Sequence, residues 1–177
     1  MSPAPPKGYP MKISMYAMSV EVFTPTLRSL GKILQKAAQH AAQRKFDPAI
    51  LVDGRLAPDM FALAKQVQLA SDFAKNSTAR LMGVDAPRFE DDEKTFEELQ
   101  ARIARTLDYL GTAAPRAFEG AEDRDIKIPL RDQTLEMKGL PYLQKWALPN
   151  FYFHVVTAYA ILRHNGVEVG KRDYLGD

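Results

Sequence analysis

Apolar residues recur along this chain at spacings of three and four, and the repeats fall into four blocks. The first block is Phe23, Leu27, Leu30, Leu34, Ala37 and Ala41, a set that shares one stripe of a helix. Met15 to Phe23 already carries apolar residues at helical spacing, so one helix is expected from Ser14, kinked at Pro25. The other reading has Thr24 as the cap and Pro25 in the first turn. A second helix is expected after Ala57-Pro58, with Asp59 near its positive end, running to about Met82 before Gly83 stops it. Between the two, Lys45 to Leu56 holds Phe46, Ile50, Leu51 and Val52, which would anchor the link.

Thr95 and Glu98 have capping-box spacing and start the third helix. Its stripe is Phe96, Leu99, Ile103, Leu107 and Leu110, closing at Gly111, and the charge run Glu90 to Lys94 reads as its solvated lead-in. The period then changes. Ile126, Ile128 and Leu130 alternate with polar residues, Arg131-Asp132 turn the chain, and Thr134 to Met137 alternate again, which predicts a short β-hairpin. The fourth helix is predicted from about Leu140 to His164, with Asn165-Gly166 as its stop and a kink at Pro149 just before Asn150. Four long helices with one apolar stripe each predict an all-α, antiparallel four-helix bundle with a short hairpin before the last helix.

A length of 177 residues suits one domain. The expected division is a flexible leader, 1–11, and a single domain, 12–177. Met1 to Pro10 carries four of the twelve prolines and lacks the apolar core of a signal peptide. Apolar residues make up 46% and charged residues 26%, which excludes a disordered or collagen-like chain. The net charge of +2 is too small to suggest a phosphate-binding surface, so no nucleic-acid partner is expected. No apolar run reaches the length of a membrane span, so no membrane partner is expected either, and the cytoplasm is the expected location. Zero cysteines remove thiolate metal sites, disulfides and thiol nucleophiles, leaving imidazole, carboxylate or amide ligands for any metal.

The fourth helix is where polar chemistry meets an apolar background. Asn150, His154 and Thr157 share a face among Phe151, Phe153, Val155, Val156, Ala158, Tyr159 and Ile161. An amide or imidazole buried without a partner costs about 1 to 3 kcal/mol, so these groups need partners. His154 is either a core histidine bonded to a neighbouring helix or a group facing a ligand or metal. On the second helix, Gln66 and Gln68 lie about 200° apart, so only one is expected to face inward. Gln66, in line with Leu63, Ala70 and Phe73, is the expected inward one; the alternative is a solvated glutamine. His40 and His164 lie near helix ends and have no histidine three or four residues away, and no metal, phosphate-loop or dinucleotide motif is present. Tyr142 and Trp146, four apart, are candidate anchors for a homodimer if they lie outside.

Several stretches together resemble a known family: Ile13-Ser14-Met15-Tyr16, Arg55 through Phe61, Gln66-Val67-Gln68, Pro149 through His154, and Ala158 through Gly166. They resemble the DinB/YfiT-like superfamily of metal-dependent hydrolases, and most closely a bacterial branch known as a domain of unknown function. The resemblance covers about residues 11 to 175. It implies a four-helix bundle in which metal-binding members carry one histidine on the second helix and a His-x-x-x-His pair on the last. Here those places fall at Gln66, Asn150 and His154. Amides are weak ligands for zinc or nickel, so no metal cofactor is expected, with His154 the one weak candidate ligand. The expected function is binding of an unidentified small molecule in a pocket formed by Gln66, Asn150, His154 and Thr157, or a degenerate metalloenzyme. The alternatives are a metal-dependent hydrolase or thiol transferase, and a non-catalytic structural or dimerising protein.

Overall fold

The computed structural model describes residues 13–177, so the leader expected at 1–11 lies outside the described residues. Most of the chain is helical. The elements are α1 (Val20–Arg44), α2 (Ala49–Val52), α3 (Leu63–Met82), α4 (Phe96–Gly111), strands β1 (Asp125–Pro129) and β2 (Thr134–Lys138), then α5 (Gly139–Tyr142), α6 (Leu148–His164) and α7 (Lys171–Leu175). The predicted apolar stripes supply the core: Phe23, Leu27, Leu30 and Leu34 from α1, Leu63 and Ala70 from α3, Leu99 from α4, and Phe151, Ala158 and Ile161 from α6 are all fully buried. No helix among the described residues is long and apolar enough to cross a membrane.

Contacts between named residues fix the helix directions. The Phe23 and Phe151 rings meet edge-on at 4.8 Å, near the starts of α1 and α6. Gln66 at the start of α3 meets His154 in mid-α6, whereas Ser77, later on α3, meets Tyr142 before α6 begins. So α3 runs opposite to α6. Gln68 meets Glu93 just before α4, and Asp72 meets Arg102 in mid-α4, so α3 and α4 run the same way. A plain alternation of directions with short links, as the sequence suggests, differs from this at one step: α3 and α4 are joined by a crossover.

That crossover, residues 83–95, returns along α3 and α4 and is held by charge. Lys75 Nζ donates to the Pro87 carbonyl at 2.8 Å, and Arg102 Nη1 donates to the Glu90 carbonyl at 2.9 Å. Arg102 also meets Asp91 at 2.9 Å, Asp72 at 3.0 Å and Glu93 at 3.1 Å, and Lys65 meets Asp91 at 2.6 Å. Phe89 lies under the ammonium of Lys75 (4.3 Å) and the guanidinium of Arg105 (4.7 Å), a cation–π arrangement. Burial alone would push the Asp91 carboxyl up, but Lys65 and Arg102 outweigh it and hold it below its usual range. The run Glu90 to Lys94 is therefore more than a solvated lead-in, because Glu93 is buried.

Other boundaries shift for identifiable reasons. α1 begins at Val20 after hydrogen-bonded turns over Ser14 to Ser19, and Pro25 sits within it. α3 begins at Leu63, because Ala57 to Met60 close a turn instead, pinned by Arg55 Nη1 donating to the Met60 carbonyl at 2.6 Å. Leu51 and Val52 are the buried anchors of the α1–α3 link, whereas Ile50 is exposed. The Thr95–Glu98 capping box and the hairpin form as predicted, with Ile126 opposite Met137 and Ile128 opposite Leu135. Gly139 joins the hairpin to α5 where any Cβ would collide with the Ala121 carbonyl, a close approach only glycine permits.

The last helix is continuous from Gly139 to His164 but contains a π-turn over Leu143–Ala147. Pro149 lacks an N–H, and its ring would crowd the carbonyl four residues earlier, so the wider turn takes up the mismatch upstream of the proline. The break expected just before Asn150 is thus displaced by about one turn.

Candidate functional site

The start of α3 and the middle of α6 bring Gln66 and His154 together. Both are buried, and His154 Nδ1 lies 2.8 Å from Gln66 Oε1. The amide is oriented by its other end, since Gln66 Nε2 donates to the Phe61 carbonyl at 3.1 Å. An amide oxygen only accepts, so Nδ1 carries the proton and donates. In the neutral ring, Nε2 then keeps its lone pair. It takes no protein hydrogen bond among the described residues and is not sealed from solvent. Burial, and secondarily the Lys65 charge, pulls the imidazole pKa down to about 4. At neutral pH His154 is an uncharged hydrogen-bond acceptor.

Aromatic rings wall this acceptor. Phe73 stacks on the imidazole at 5.6 Å between centroids and 20° between planes, and Phe153 approaches edge-on at 5.4 Å. Phe61 and Phe153 are themselves about half exposed. Lys65, adjacent to Gln66 and paired with Asp91, supplies the nearest positive field.

Two expected neighbours are spent on backbone. Asn150 Nδ2 donates to the Trp146 carbonyl at 2.8 Å, where the π-turn meets α6, and Thr157 Oγ1 donates to the Phe153 carbonyl at 2.7 Å. They flank His154 on the same face, and no hydrogen bond joins either to it or to Gln66 among the described residues. Of the two glutamines, Gln66 is the one that faces α6, and Gln68 points to the opposite side of α3 without being solvated. Gln68 is buried too, on the other side of α3, where its Nε2 donates to Glu93 Oε2 at 3.0 Å. Tyr142, a suggested surface anchor, is fully buried, with its hydroxyl 2.9 Å from Ser77 Oγ; Trp146 is half-buried. His40 lines a polar surface hollow of about 340 Å³ with Lys36, Arg44 and Glu168, away from His154.

Sequence reasoning missed Lys65 and Phe61 at the site. Phe61 lay in a quoted motif, and Lys65 neighbours Gln66, but neither had a signal separating it from an ordinary helix-start residue. Phe73 was visible as the residue two turns from Gln66 on the same face.

Fold and site together define a mostly helical, DinB-like domain with a small antiparallel two-stranded sheet. The family model described as Domain of unknown function (DUF1993) matches residues 15–175, and the chain belongs to that family. It is similar to a solved DinB family member protein from Shewanella denitrificans, with 43% sequence identity, a TM-score of 0.87, and coverage of 92% of each chain. No curated protein matches the sequence.

Proposed function

We propose that this DinB-like protein is a four-helix bundle that binds a small molecule at the Gln66–His154 pair without a catalytic metal. The observation that carries the reading is the fixed tautomer: Gln66 holds the Nδ1 proton, so Nε2 is presented as an acceptor between aromatic walls. Such an acceptor suits a ligand with an O–H or N–H donor and a flat apolar part that packs against Phe73 and Phe153.

The donor set does not fit a zinc- or nickel-type cation. Both ends of the Gln66 amide are engaged, the His154 Nδ1 is engaged, and the Asn150 amide nitrogen is bonded to its own helix. One imidazole nitrogen and the weakly ligating Asn150 amide oxygen remain where a stable site wants three or four strong donors. Among the described residues no group of three or more His, Cys, Asp or Glu side chains is placed to hold a metal.

Thermal-shift screening of protein purified without a histidine tag tests this, because a ligand of the folded state raises the melting temperature. The expected result is a small molecule whose stabilisation disappears in His154→Leu, with no stoichiometric metal by elemental analysis. Stoichiometric zinc or nickel that is lost in His154→Ala would instead support the metal-dependent hydrolase or transferase reading.

A further inference from the structure

The net charge of +2 hides an uneven distribution. From Val22 to Phe46 the chain carries no Asp or Glu, whereas Arg28, Lys32, Lys36, Arg44 and Lys45 all fall there and are exposed. The segment from Arg163 to Arg172, which lies against the second half of α1, adds Arg163, Lys171 and Arg172 with one acid, Glu168. Positive charge of this kind around a concave surface concentrates anions.

Such a concave surface is present. Lys36, His40 and Arg44 follow one another at spacing four, so they stand in a row along α1. With Gln39 and Gln43 beside them, and Gly166 and Glu168 from the α6–α7 link, they line the hollow of about 340 Å³, a volume in the range of small-molecule sites. Lys36 Nζ donates to Asp173 Oδ1 at 2.5 Å, and Asp173 Oδ2 accepts from the Gly170 N–H at 2.8 Å, so the ammonium is held in place. It keeps two further N–H donors. The His40 ring meets Phe46 edge-on at 5.8 Å. Arg44 enters no ion pair among the described residues, nor do Lys32, Lys45, Arg163 and Lys171 around it, and these cations outnumber Glu168 and Asp173. The Ala41 and Ala42 carbonyls at this end of α1 accept from the Phe46 and Lys45 N–H groups, which lessens the negative helix end that would oppose an anion.

The lining also selects the class of ligand. Every side chain in it is polar, which disfavours a ligand with an apolar body. Donors from Lys36, His40, Arg44 and two amides suit the several oxygens of a phosphate better than the two of a carboxylate. Glu168 supplies an acceptor for hydroxyl groups. We propose that this hollow binds a small phosphorylated polyol of the sugar phosphate class, with the phosphate on Lys36 and Arg44 and the hydroxyls toward Glu168. The hollow shares no residue with the Gln66–His154 pair, so this site is independent of the function proposed above.

Titration of the full chain at about 0.15 M ionic strength, followed by calorimetry and nitrogen-15 NMR, tests the proposal. Glucose 6-phosphate and glycerol phosphate are the probes. At least one is expected to bind and to shift the side-chain amide signals of Gln39 and Gln43, with the unphosphorylated polyol and inorganic phosphate each about tenfold weaker or more. Arg44→Gln, at an exposed and unpaired residue, is expected to raise the dissociation constant about tenfold. Arg28→Gln, on the same helix but outside the hollow, is expected to leave it within about twofold. Circular dichroism checks the fold of both variants. Binding of neither ester up to about 10 mM, or inorganic phosphate bound as tightly as the esters, overturns the proposal. So do equal losses in Arg44→Gln and Arg28→Gln, which would mark a diffuse basic surface of the kind that meets nucleic acid or an anionic membrane.

Discussion

Arg102 on α4 holds Glu93 at the end of the crossover, with Nη1 3.1 Å from each carboxylate oxygen and both residues buried. Removing Arg102 leaves Glu93 buried with only the longer Arg105 contact at 3.3 Å and the Gln68 amide at 3.0 Å, and an under-compensated buried charge costs more than an exposed pair is worth. Arg102→Met is therefore expected to destabilise the protein by about 3 to 5 kcal/mol in urea unfolding. Lys65→Met, which breaks the half-exposed bond to Asp91, is expected to cost about 1 kcal/mol or less. Equal costs for the two would show that the crossover is not held by its buried charges.

The contrast between these two pairs also explains what the sequence made legible. Apolar periodicity names Leu27, Leu99 and Phe151 as core because burial of aliphatic surface leaves a repeat in the chain. The Thr95–Glu98 box and the Ile126–Ile128 alternation are local, so they are read directly. Glu93, Arg102 and Gln68 carry no such mark. Their burial depends on a crossover that brings together residues distant in sequence, and a buried arginine is spelled like a solvated one. One hint was available, since Arg102 falls on the same stripe as Leu99, Ile103 and Thr106. His154 was legible because it stands alone among apolar neighbours, and Gln66 because it aligns with Leu63 and Ala70. The local bonding of Asn150 and Thr157 was not legible, because it follows from the π-turn and from each side chain's rotamer.

The depressed imidazole makes stability depend on pH in a defined window. His154 titrates at about 4 in the folded chain against 6.5 as its ordinary value. Between those values the unfolded chain binds more protons than the folded one, so protonation favours unfolding. Stability from this group is complete above about pH 6.5, falls as the pH drops toward 4, and levels off below. The loss is at most about 3 kcal/mol. Denaturant melts between pH 7 and pH 4 should show the decline, and His154→Phe should reduce it. An unchanged pH profile in the variant would place the sensitivity elsewhere.

Gln66 and His154 should behave as one unit in a double-mutant cycle. Gln66→Leu strips Nδ1 of its acceptor and frees the Phe61 carbonyl, while His154→Phe leaves the amide oxygen unpaired. Each is expected to cost about 1 to 3 kcal/mol, and the double variant less than the sum, because the second change removes the group that the first left unsatisfied. Additive costs would mean that the two side chains are not coupled.

The protonation pattern of His154 is the most direct test of the site. Nitrogen-15 NMR of the imidazole distinguishes a protonated from an unprotonated ring nitrogen. At neutral pH the predicted spectrum has Nδ1 protonated and Nε2 bare, with no titration until the pH approaches about 4. A proton on Nε2, or a midpoint near 6.5, would contradict the account.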